Sequence, residues 1–280
     1  MTKERVGKDR LDKLLADRGL AESRTKAQAL IMAGLVKVNG ERVDKAGTPV
    51  RVDSLLEVDD GRRWASRGAY KLLKAIEAFD LQISGKICVD IGASTGGFTD
   101  VLLDAGAKKI YAVDVGYGQL LTRLANDPRV VVMDRTNARN LTPGMFGEAV
   151  EVAVCDASFI SLKLLLPAMA SVLSDSGEAV VLVKPQFEAG RDRLGKNGVV
   201  RDAAVHAAVL SEVLEFSIKE TTLFPIGLSW SPVLGPEGNM EFLCHLSRTQ
   251  PTGFFDAPDI SEPVLKVVEA AHRELSPRYS

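Results

Sequence analysis

The sequence predicts an α/β protein with a mostly parallel sheet that has one antiparallel edge, preceded by a small N-terminal α+β module. Strand and helix patterns alternate from about residue 64 onward, which is typical of a parallel sheet. Two late apolar segments follow each other with no helix between them, which indicates an antiparallel pair. The first sixty residues hold two helix patterns followed by short strands, which indicates a separate module.

The distribution of charge follows the same division. The 280 residues carry a net charge of −2, but residues 1–67 hold 15 Lys and Arg against 11 Asp and Glu, and the rest holds 20 against 26. We therefore predict a small domain at 1–60, a linker at 61–66, a main domain at 67–249, and a tail at 250–280 with a short amphipathic helix. A basic module on an acidic body indicates a polyanion as the partner of the module.

Composition argues against several classes of protein. Cys88, Cys155 and Cys244 each lie in an apolar run, which predicts buried free thiols in a reducing cytoplasm. The three histidines stand apart from one another, so we predict no metal site. The N-terminus is too charged for a secretory signal, and no apolar run reaches the roughly 18–20 residues of a membrane helix. We therefore predict a cytoplasmic protein that does not bind membranes.

The N-terminal module is predicted to begin with two helices. Leu11, Leu14 and Leu15 recur at helical spacing. Gly19 is predicted to end this helix, and Ser23 to cap the next one, which stops near residue 34. Short strands are predicted at 36–38, from 43, at 48–52 and at 55–58, with a tight Asn-Gly turn between the first two.

Basic side chains cluster around this helix pair without equal acidic cover. The pattern RLDKLLADRGLAESRTKAQALIMAGLVKVNGERV resembles the small RNA-binding module first defined in a ribosomal small-subunit protein. The resemblance implies binding to structured RNA through phosphate and shape contacts, whereas the alternative is a solvated pair of charged helices. The predicted RNA-binding residues are Arg10, Arg18, Arg24, Lys26 and Lys37, together with Arg63 and Arg67 in and after the linker.

The main domain is predicted to alternate strands and helices. We predict strands at 87–91, 109–113, 130–133, 152–155 and 179–184. Helices are predicted at 70–79, 97–105, 118–126, 161–173 and 203–216. The antiparallel pair is formed by 221–228 and 240–246. Because ligands of such sheets bind at the carboxyl ends of the parallel strands, polar residues at strand ends are the candidate site residues.

A glycine-rich loop at residues 92–97 follows the first of these strands. Its spacing departs from the dinucleotide fingerprint G-x-G-x-x-G, and it lacks the lysine of a P-loop. Backbone N–H groups of the loop suit a carboxylate, and Asp90 suits a cation, which favours a ligand such as S-adenosylmethionine. Asp114 is placed to accept from ribose hydroxyls, although it would serve NAD equally and could instead cap a helix. Asn137 could contact an adenine edge.

Two further strand ends carry charged side chains. Asp156 lacks the following pair of prolines that enzymes methylating base amines usually need, which favours a hydroxyl as the target. Lys184 closes an apolar strand, where a lysine is costly to bury without partners. A lysine that extends its ammonium to solvent at the sheet margin is the alternative.

Six motifs together carry a family resemblance: SRGAYKL, DIGASTGGFTD, DRTNAR, CDASFISL, KPQFE and GPEGNMEF. Residues 64–246 resemble the FtsJ-type ribose 2′-O-methyltransferases, and the chain up to about 249 resembles the TlyA family, also labelled hemolysin A. The resemblance implies a Rossmann-like, S-adenosylmethionine-dependent methyltransferase sheet. It implies 2′-O-methylation of ribose, with cytidine of small- or large-subunit ribosomal RNA as target. The partner would be ribosomal RNA or ribosomal subunits, and no metal is required.

The resemblance also implies site residues. A catalytic Lys-Asp-Lys-Glu tetrad maps to Lys71, Asp156, Lys184 and Glu241. Our hypothesis is that Lys184, with its pKa lowered by burial and by Lys71, takes or attracts the hydroxyl proton. Asp156 would orient Lys184, while Glu241 and Lys71 hold the hydroxyl in line with the methyl group. Besides Asp90, the implied cofactor residues are Gly92, Ser94, Thr95, Gly96, Gly97, Phe98, Asp114 and Asn137.

Two alternatives from other classes remain open at this point. A nucleotide-dependent oxidoreductase is disfavoured by the missing dinucleotide fingerprint and leaves the four tetrad residues unexplained. A membrane-lytic protein, which the older family label suggests, is disfavoured because the sequence shows no long apolar segment and no strongly amphipathic cationic helix. The basic loop at 191–198 could close over the substrate strand or be an ordinary surface loop.

Overall fold

Two helices and five short strands form the N-terminal module. A computed structural model describes residues 7–21, 23–58, 64–250 and 260–275 of the chain. The elements of the module are β1 (Lys8–Arg10), α1 (Leu11–Asp17), α2 (Arg24–Met32), β2 (Val36–Val38), β3 (Glu41–Arg42), β4 (Pro49–Arg51) and β5 (Leu56–Val58). β1, which the sequence analysis missed, pairs antiparallel with β4, and β3, β2 and β5 form a second small sheet in that order.

The predicted turns and caps of this module are present. Gly19, at φ 68°, follows α1, and the Ser23 side chain accepts from the Lys26 N–H at 3.2 Å at the start of α2. Asn39 and Gly40, at φ 52° and 83°, turn the chain between β2 and β3. Positive φ at both central residues is the geometry that an Asn-Gly hairpin turn requires, so the local sequence fixes this turn.

A seven-stranded sheet forms the centre of the main body. Its strands are β6 (Ile87–Ile91), β7 (Lys109–Val113), β8 (Val130–Met133), β9 (Val150–Cys155), β10 (Leu173–Val183), β11 (Phe224–Trp230) and β12 (Phe242–Ser247). Their order is β11-β12-β10-β9-β6-β7-β8, and only β12 runs opposite to the direction of the other six strands. The predicted parallel sheet with one antiparallel edge is therefore confirmed.

Helices cover both faces of the sheet. They are α3 (Ala69–Phe79), α4 (Gly97–Asp104), α5 (Thr122–Ala125), α6 (Leu166–Val172), α7 (Pro185–Glu188), α8 (Ala203–Glu220) and α9 (Ser261–Leu275). One apolar cluster joins the sheet to α3, α4 and α5, and another joins it to α6, α8 and α9. Because both faces are covered, the central strands are continuous apolar runs without polar alternation. Cys88, Cys155 and Cys244 are buried and unpaired within these clusters, as predicted.

Two predicted helices are shorter than the sequence suggested. The helix predicted at 118–126 is reduced to α5, because Gly118 donates its N–H to Asp134 at 2.8 Å and holds a loop instead. The helix predicted at 161–173 is divided into a 3-10 turn at Leu162–Leu164 and α6, which begins at a Leu-Pro pair. Proline is favoured in the first helical turn, where its missing N–H costs nothing, so it sets the start of α6.

The helix predicted in the tail is a structural part of the main body. Val264, Val268 and Ala271 of α9 are buried in the cluster that α9 shares with α8 and the sheet. His272 Nε2 lies 2.9 Å from Nδ1 of His206, a fully buried residue of α8. Burial and the neighbouring His272 lower the pKa of His206 to about 4. No role for α9 followed from the sequence, whereas the structure shows that this helix covers one face of the core.

Candidate functional site

The four tetrad residues come together at one edge of the sheet. Lys71 lies in the first turn of α3, and Asp156 and Lys184 directly follow β9 and β10. Carboxyl ends of neighbouring parallel strands meet at the same edge, which brings these last two side chains together. Glu241 precedes β12, and because β12 is antiparallel to β10, its amino end lies at that edge as well.

Alternating charges connect the four side chains. Lys71 Nζ lies 2.7 Å from Glu241 Oε2 and 3.2 Å from Asp156 Oδ2. Asp156 Oδ1 lies 2.6 Å from Lys184 Nζ. The order along this chain of contacts is Glu241, Lys71, Asp156 and Lys184. The Asp156 carboxylate binds both lysines, and its Oδ1 contacts Lys71 as well, at 3.4 Å.

Burial strengthens these interactions. Lys71, Lys184 and Glu241 are 9%, 5% and 1% exposed. Burial by itself would lower the pKa of Lys71, but the carboxylates of Asp156 and Glu241 raise that pKa above its ordinary value. Lys71 therefore carries its charge at neutral pH and cannot accept a proton there. Glu241 Oε1 is buried and has no hydrogen-bond partner among the described residues, which leaves an acceptor at this end of the chain of contacts.

Lys184 has a partner that the sequence analysis missed. Its Nζ contacts Asp156 Oδ1, the Asp156 backbone oxygen at 3.2 Å and Ser158 Oγ at 2.9 Å. An ammonium has three N–H bonds, so these three acceptors use all of them. The only signal for Ser158 in the sequence was a hydroxyl two residues after the strand-end aspartate.

Two adjoining cavities open along this edge. The first, of about 290 Å³, is bounded by the tetrad and the glycine loop, and the second, of about 380 Å³, by Asp114 and Asn137. Both are lined by Gly92, Ser94, Asp156 and Ser158, so they form one continuous site. Predicted cofactor residues that line the first cavity are Gly92, Ser94, Thr95, Gly97 and Phe98.

The glycine loop is held close to the strand ends. The Ser94 N–H donates to Asp114 Oδ2 at 2.8 Å, and the Gly116 N–H donates to Asp114 Oδ1 at 2.7 Å. A carboxylate offers about four lone pairs, so Asp114 keeps capacity to accept from ligand hydroxyls. Gly92 has φ +82°, and a Cβ there would lie 3.0 Å from the Ala157 Cα. Glycine is required at this position because both the backbone conformation and the close approach exclude a side chain.

Two predicted cofactor residues do not line either cavity. Asp90 is fully buried beneath the loop, where Thr99 Oγ1 donates to its Oδ2 at 2.7 Å. Its Oδ1 has no partner among the described residues, and burial raises the pKa of Asp90 to about 7. Gly96 also points inward, since a Cβ there would lie 2.3 Å from the Leu124 side chain. Asp90 and Gly96 therefore lie beneath the glycine loop and do not face the cavities.

The predicted RNA-binding residues fall into separate groups. Contrary to the expected lack of acidic cover, Arg10 and Arg24 both contact the buried Asp12, each at 3.0 Å. Their side chains are still about half exposed. Lys26, Lys37 and Arg67 are exposed, whereas Arg63 lies outside the described residues. Arg18 differs from all of these, because it lines the 290 Å³ cavity beside the tetrad.

An exposed aromatic side chain also borders the site. Phe159 is 90% exposed, has φ +63°, and its ring lies 5.1 Å from that of Phe187. Phe159 lines the 380 Å³ cavity. Such a conformation is uncommon for an aromatic residue, and nothing in the sequence predicted it.

The described residues offer neither a metal site nor a membrane-spanning helix. Within 7–21, 23–58, 64–250 and 260–275, no group of three or more His, Cys, Asp and Glu side chains could hold a metal ion. None of the helices in these ranges combines the length and apolar character that crossing a membrane would need.

Comparisons with known proteins match both the N-terminal module and the main body. The family model for FtsJ-like methyltransferases matches residues 64–248, and the model for the S4 domain matches residues 9–56. The chain is 49% identical to YqxC of Bacillus subtilis, a candidate rRNA methyltransferase, over 96% of this chain and 95% of that protein. It is 46% identical to the 16S/23S rRNA (cytidine-2′-O)-methyltransferase TlyA of Mycobacterium tuberculosis, over 92% of this chain and 97% of that protein.

A solved structure matches the whole fold. A candidate hemolysin from Streptococcus thermophilus is 45% identical and superposes with a TM-score of 0.75, over 96% of this chain and 98% of that chain. The similarity therefore covers the N-terminal module and the main body together.

Proposed function

Because the chain belongs to the FtsJ-like methyltransferase family, we propose that it transfers a methyl group from S-adenosylmethionine to the ribose 2′-hydroxyl of cytidine in ribosomal RNA. The observation that carries this proposal is the buried chain of contacts from Glu241 through Lys71 and Asp156 to Lys184, beside a glycine loop. A relative that shares 46% of its residues over 97% of its own length is named for this reaction. Its substrate would place the protein in the cytoplasm, with ribosomal subunits.

The residues present suit S-adenosylmethionine, which supplies an electrophilic methyl group on sulfur. The cavity beside Asp114 and Asn137 offers acceptors for a nucleoside, and the start of α4 offers backbone N–H groups for a carboxylate. Asp90, buried behind the glycine loop with Oδ1 lacking a described partner, supplies a carboxyl group whose ionised form would attract an ammonium group in the cavity. A ligand that carries a nucleoside, a carboxylate and an amine would satisfy all three features.

The ribose hydroxyl is a weak acid and needs to be oriented before it attacks. We place its oxygen at Lys184 Nζ, where it replaces Ser158 Oγ as one of the three acceptors of the ammonium. Asp156, which binds both lysines, fixes the position of Lys184. For Lys184 itself to take the hydroxyl proton it must first release one, and Asp156 Oδ1 at 2.6 Å is its nearest acceptor.

The RNA substrate has two features to contact. The S4 domain match supports binding of structured RNA by the N-terminal module. Phe159, largely exposed beside the tetrad, offers a ring on which an unstacked base can lie. The oxidoreductase and membrane-lytic alternatives gain no comparable support, since neither gives the tetrad a role.

The test is methyl transfer from labelled S-adenosylmethionine to small and large ribosomal subunits from cells that lack this protein. We expect label at a cytidine 2′-oxygen with the wild-type protein. Lys184→Ala should lose at least about a hundredfold in turnover while keeping its affinity for S-adenosylmethionine. Lys163→Ala, a surface lysine paired with Glu212, is the matched control and should remain active. Absence of methylation by the wild type would reject the function, and near-normal turnover of Lys184→Ala would reject the role of that lysine.

A further inference from the structure

The N-terminal module contributes directly to the cavity that holds the tetrad. Arg18 and the neighbouring Gly19 line the same 290 Å³ space as Lys71 and Lys184. The other described basic residues predicted for this module, Arg10, Arg24, Lys26 and Lys37, line neither cavity of the site. Arg18 thus lies beside the tetrad, whereas these four basic residues lie away from it.

The guanidinium of Arg18 is held in place by backbone oxygens. Nη1 donates to the Ser54 oxygen at 2.7 Å, and Nη2 donates to the Val52 oxygen. Both acceptors belong to the segment between β4 and β5, so the side chain is fixed to its own module. A guanidinium has five N–H donors, and these two bonds leave three for a ligand.

The charge of Arg18 lacks a matching carboxylate among the described residues. Within them no Asp or Glu oxygen lies within 4.0 Å of its nitrogens, and the adjacent Asp53 pairs with Arg51 at 2.7 Å. Burial lowers the pKa of Arg18, and the carboxylate of Asp53, beyond ion-pair distance, acts in the opposite direction without cancelling this shift. Arg10 and Arg24, by contrast, share the carboxylate of Asp12. A partly buried charge without a counter-ion is costly, and an anionic ligand would offset that cost.

We propose that Arg18 binds a phosphate of the RNA strand beside the ribose being methylated, so that the N-terminal module completes the methyl-transfer site. This inference rests on the proposed function. In RNA the 3′-phosphate is attached next to the carbon that bears the 2′-hydroxyl, so a ribose at Lys184 brings a phosphate into the same cavity. The planar fork of a guanidinium matches the geometry of phosphate oxygens.

The charges in the cavity favour phosphate over the carboxylate of the methyl donor. Lys71 and Lys184 are balanced by Asp156 and Glu241, so Arg18 supplies the excess positive charge. The donor carboxylate already has backbone N–H groups at the start of α4. Arg18, in turn, is anchored to the module that matches an RNA-binding domain.

The first test compares Arg18→Gln, which removes the charge but keeps hydrogen-bonding ability, with Arg18→Lys, which keeps the charge. Methyl transfer is measured against subunit concentration at several salt concentrations, and S-adenosylmethionine affinity is measured by calorimetry without RNA. We expect Arg18→Gln to lower kcat/KM for RNA about tenfold and the salt slope of log kcat/KM by about one. Arg18→Lys should restore the slope, and donor affinity should stay unchanged in both.

Arg51→Gln is the matched control, because it removes the same charge from the same module at an exposed position that lines neither cavity. It should change kcat/KM much less than Arg18→Gln. If Arg18→Gln behaves like the control while the wild type methylates RNA, this inference is wrong and the proposed function stands. If donor affinity falls as much as kcat/KM, Arg18 serves the donor carboxylate and the inference is again wrong. An inactive wild type would reject both.

A second measurement uses the unaltered protein and so does not depend on the folding of a variant. Phenylglyoxal modifies accessible arginines, and peptide mass spectrometry gives the extent of modification at Arg18. Ribosomal subunits should protect Arg18, whereas S-adenosylmethionine alone should not. Protection by the donor alone, or no protection by subunits that protect Arg10 or Arg24, would overturn the proposal.

Discussion

At the scale of single residues, Asp156 organises the site. Its carboxylate contacts both lysines, and its backbone oxygen accepts from Lys184 as well. Two carboxylates keep Lys71 charged, so we expect Lys184 to be the lysine that meets the substrate hydroxyl. The two lysines have different surroundings, and we expect these surroundings to give them different roles in the reaction.

A substitution at Ser158 tests how the ribose hydroxyl is bound at Lys184. If the ribose hydroxyl replaces Ser158 Oγ, then Ser158→Ala removes a group that the reaction displaces anyway. We expect turnover of Ser158→Ala to fall by no more than about tenfold, compared with a hundredfold or more for Lys184→Ala. Single-turnover kinetics on ribosomal subunits measures both. Equal losses in the two variants would mean that Ser158 acts in the transition state.

We expect Asp90 to make the binding of the methyl donor dependent on pH. Its pKa of about 7 lies above the ordinary value of 3.8, so it takes up a proton in the folded protein as the pH falls through about 7. The stability that this proton contributes is present at low pH and is lost as the pH rises to about 7. A donor ammonium pairs with the ionised form, so affinity for S-adenosylmethionine should weaken as the pH falls below about 7.

Calorimetry between about pH 5.5 and 7.5 checks this dependence on the Asp90 carboxyl. Asp90→Asn should bind S-adenosylmethionine with an affinity that varies little over this range. An identical pH dependence in the wild type and in Asp90→Asn would show that another group is responsible.

Asp12 is expected to stabilise the N-terminal module. It is fully buried, and Arg10, Gln28 and Arg24 hold the pKa of its carboxyl well below the ordinary range. Asp12→Asn should lower the free energy of unfolding by about 2 kcal/mol at neutral pH, because charged hydrogen bonds are lost. Since a lowered pKa contributes stability only above the unfolded value, the difference should shrink as the pH falls below about 4.

Denaturant unfolding at several pH values measures this effect. Asp9→Asn, which removes a more exposed carboxylate paired with Lys13, serves as the control and should cost clearly less stability than Asp12→Asn. A loss for Asp12→Asn that is no larger than that of the control would contradict a structural role for the buried carboxylate.

At the scale of elements, the ends of β6, β9 and β10 and the start of β12 create the site. The loop after β6 can lie against the end of β9 only because residue 92 is a glycine. Strand positions followed directly from apolar runs in the sequence: four of the five predicted parallel strands end at the expected residue, and β10 ends at Val183, one residue before the expected end. Helix α5 did not follow from its pattern, because hydrogen bonds from distant loops compete with helix formation there.

Alanine substitutions at two glycines distinguish the cost of backbone strain from the cost of a steric clash. Gly92 and Gly118 both have positive φ, but only Gly92 would place a Cβ against backbone atoms, whereas nothing lies within 4 Å of a Cβ at Gly118. Gly118→Ala should therefore cost only about 1–2 kcal/mol of unfolding free energy. Gly92→Ala should cost more and should also weaken S-adenosylmethionine binding. Equal losses of stability and unchanged donor affinity in both variants would contradict this difference.

At the scale of the whole molecule, a basic module is joined to an acidic catalytic body. The first 67 residues carry a charge of +4, and the remainder carries −6. The basic part matches the S4 domain model, and Arg18 brings one of its charges into the cavity that holds the tetrad. Under the proposed function, we expect the basic part to attract the RNA and both parts to place its ribose.

Salt should weaken RNA binding far more than donor binding. Each phosphate contact releases counter-ions, so the logarithm of RNA affinity should fall linearly with the logarithm of salt concentration. Lys26→Ala and Lys37→Ala, at exposed positions of the module, should each lower the slope by about one. Filter binding of ribosomal RNA fragments measures the slope. A slope unchanged in both variants would remove these lysines from the RNA interface.

The amino-acid sequence by itself determined the elements, their mostly parallel arrangement and the residue types of the tetrad. Periodicity, glycine turns and strand-end charges are local signals, so neighbouring residues are enough to read them. Tertiary structure alone decided which side chains meet. Lys71 reaches Asp156 across 85 positions of the chain, Asp12 neutralises two arginines that looked uncovered, and Ser158 completes the contacts of Lys184. Arg18 lines the cavity for the same reason. Such contacts are set by the packing of segments that are distant in the chain, and no local sequence pattern encodes that packing.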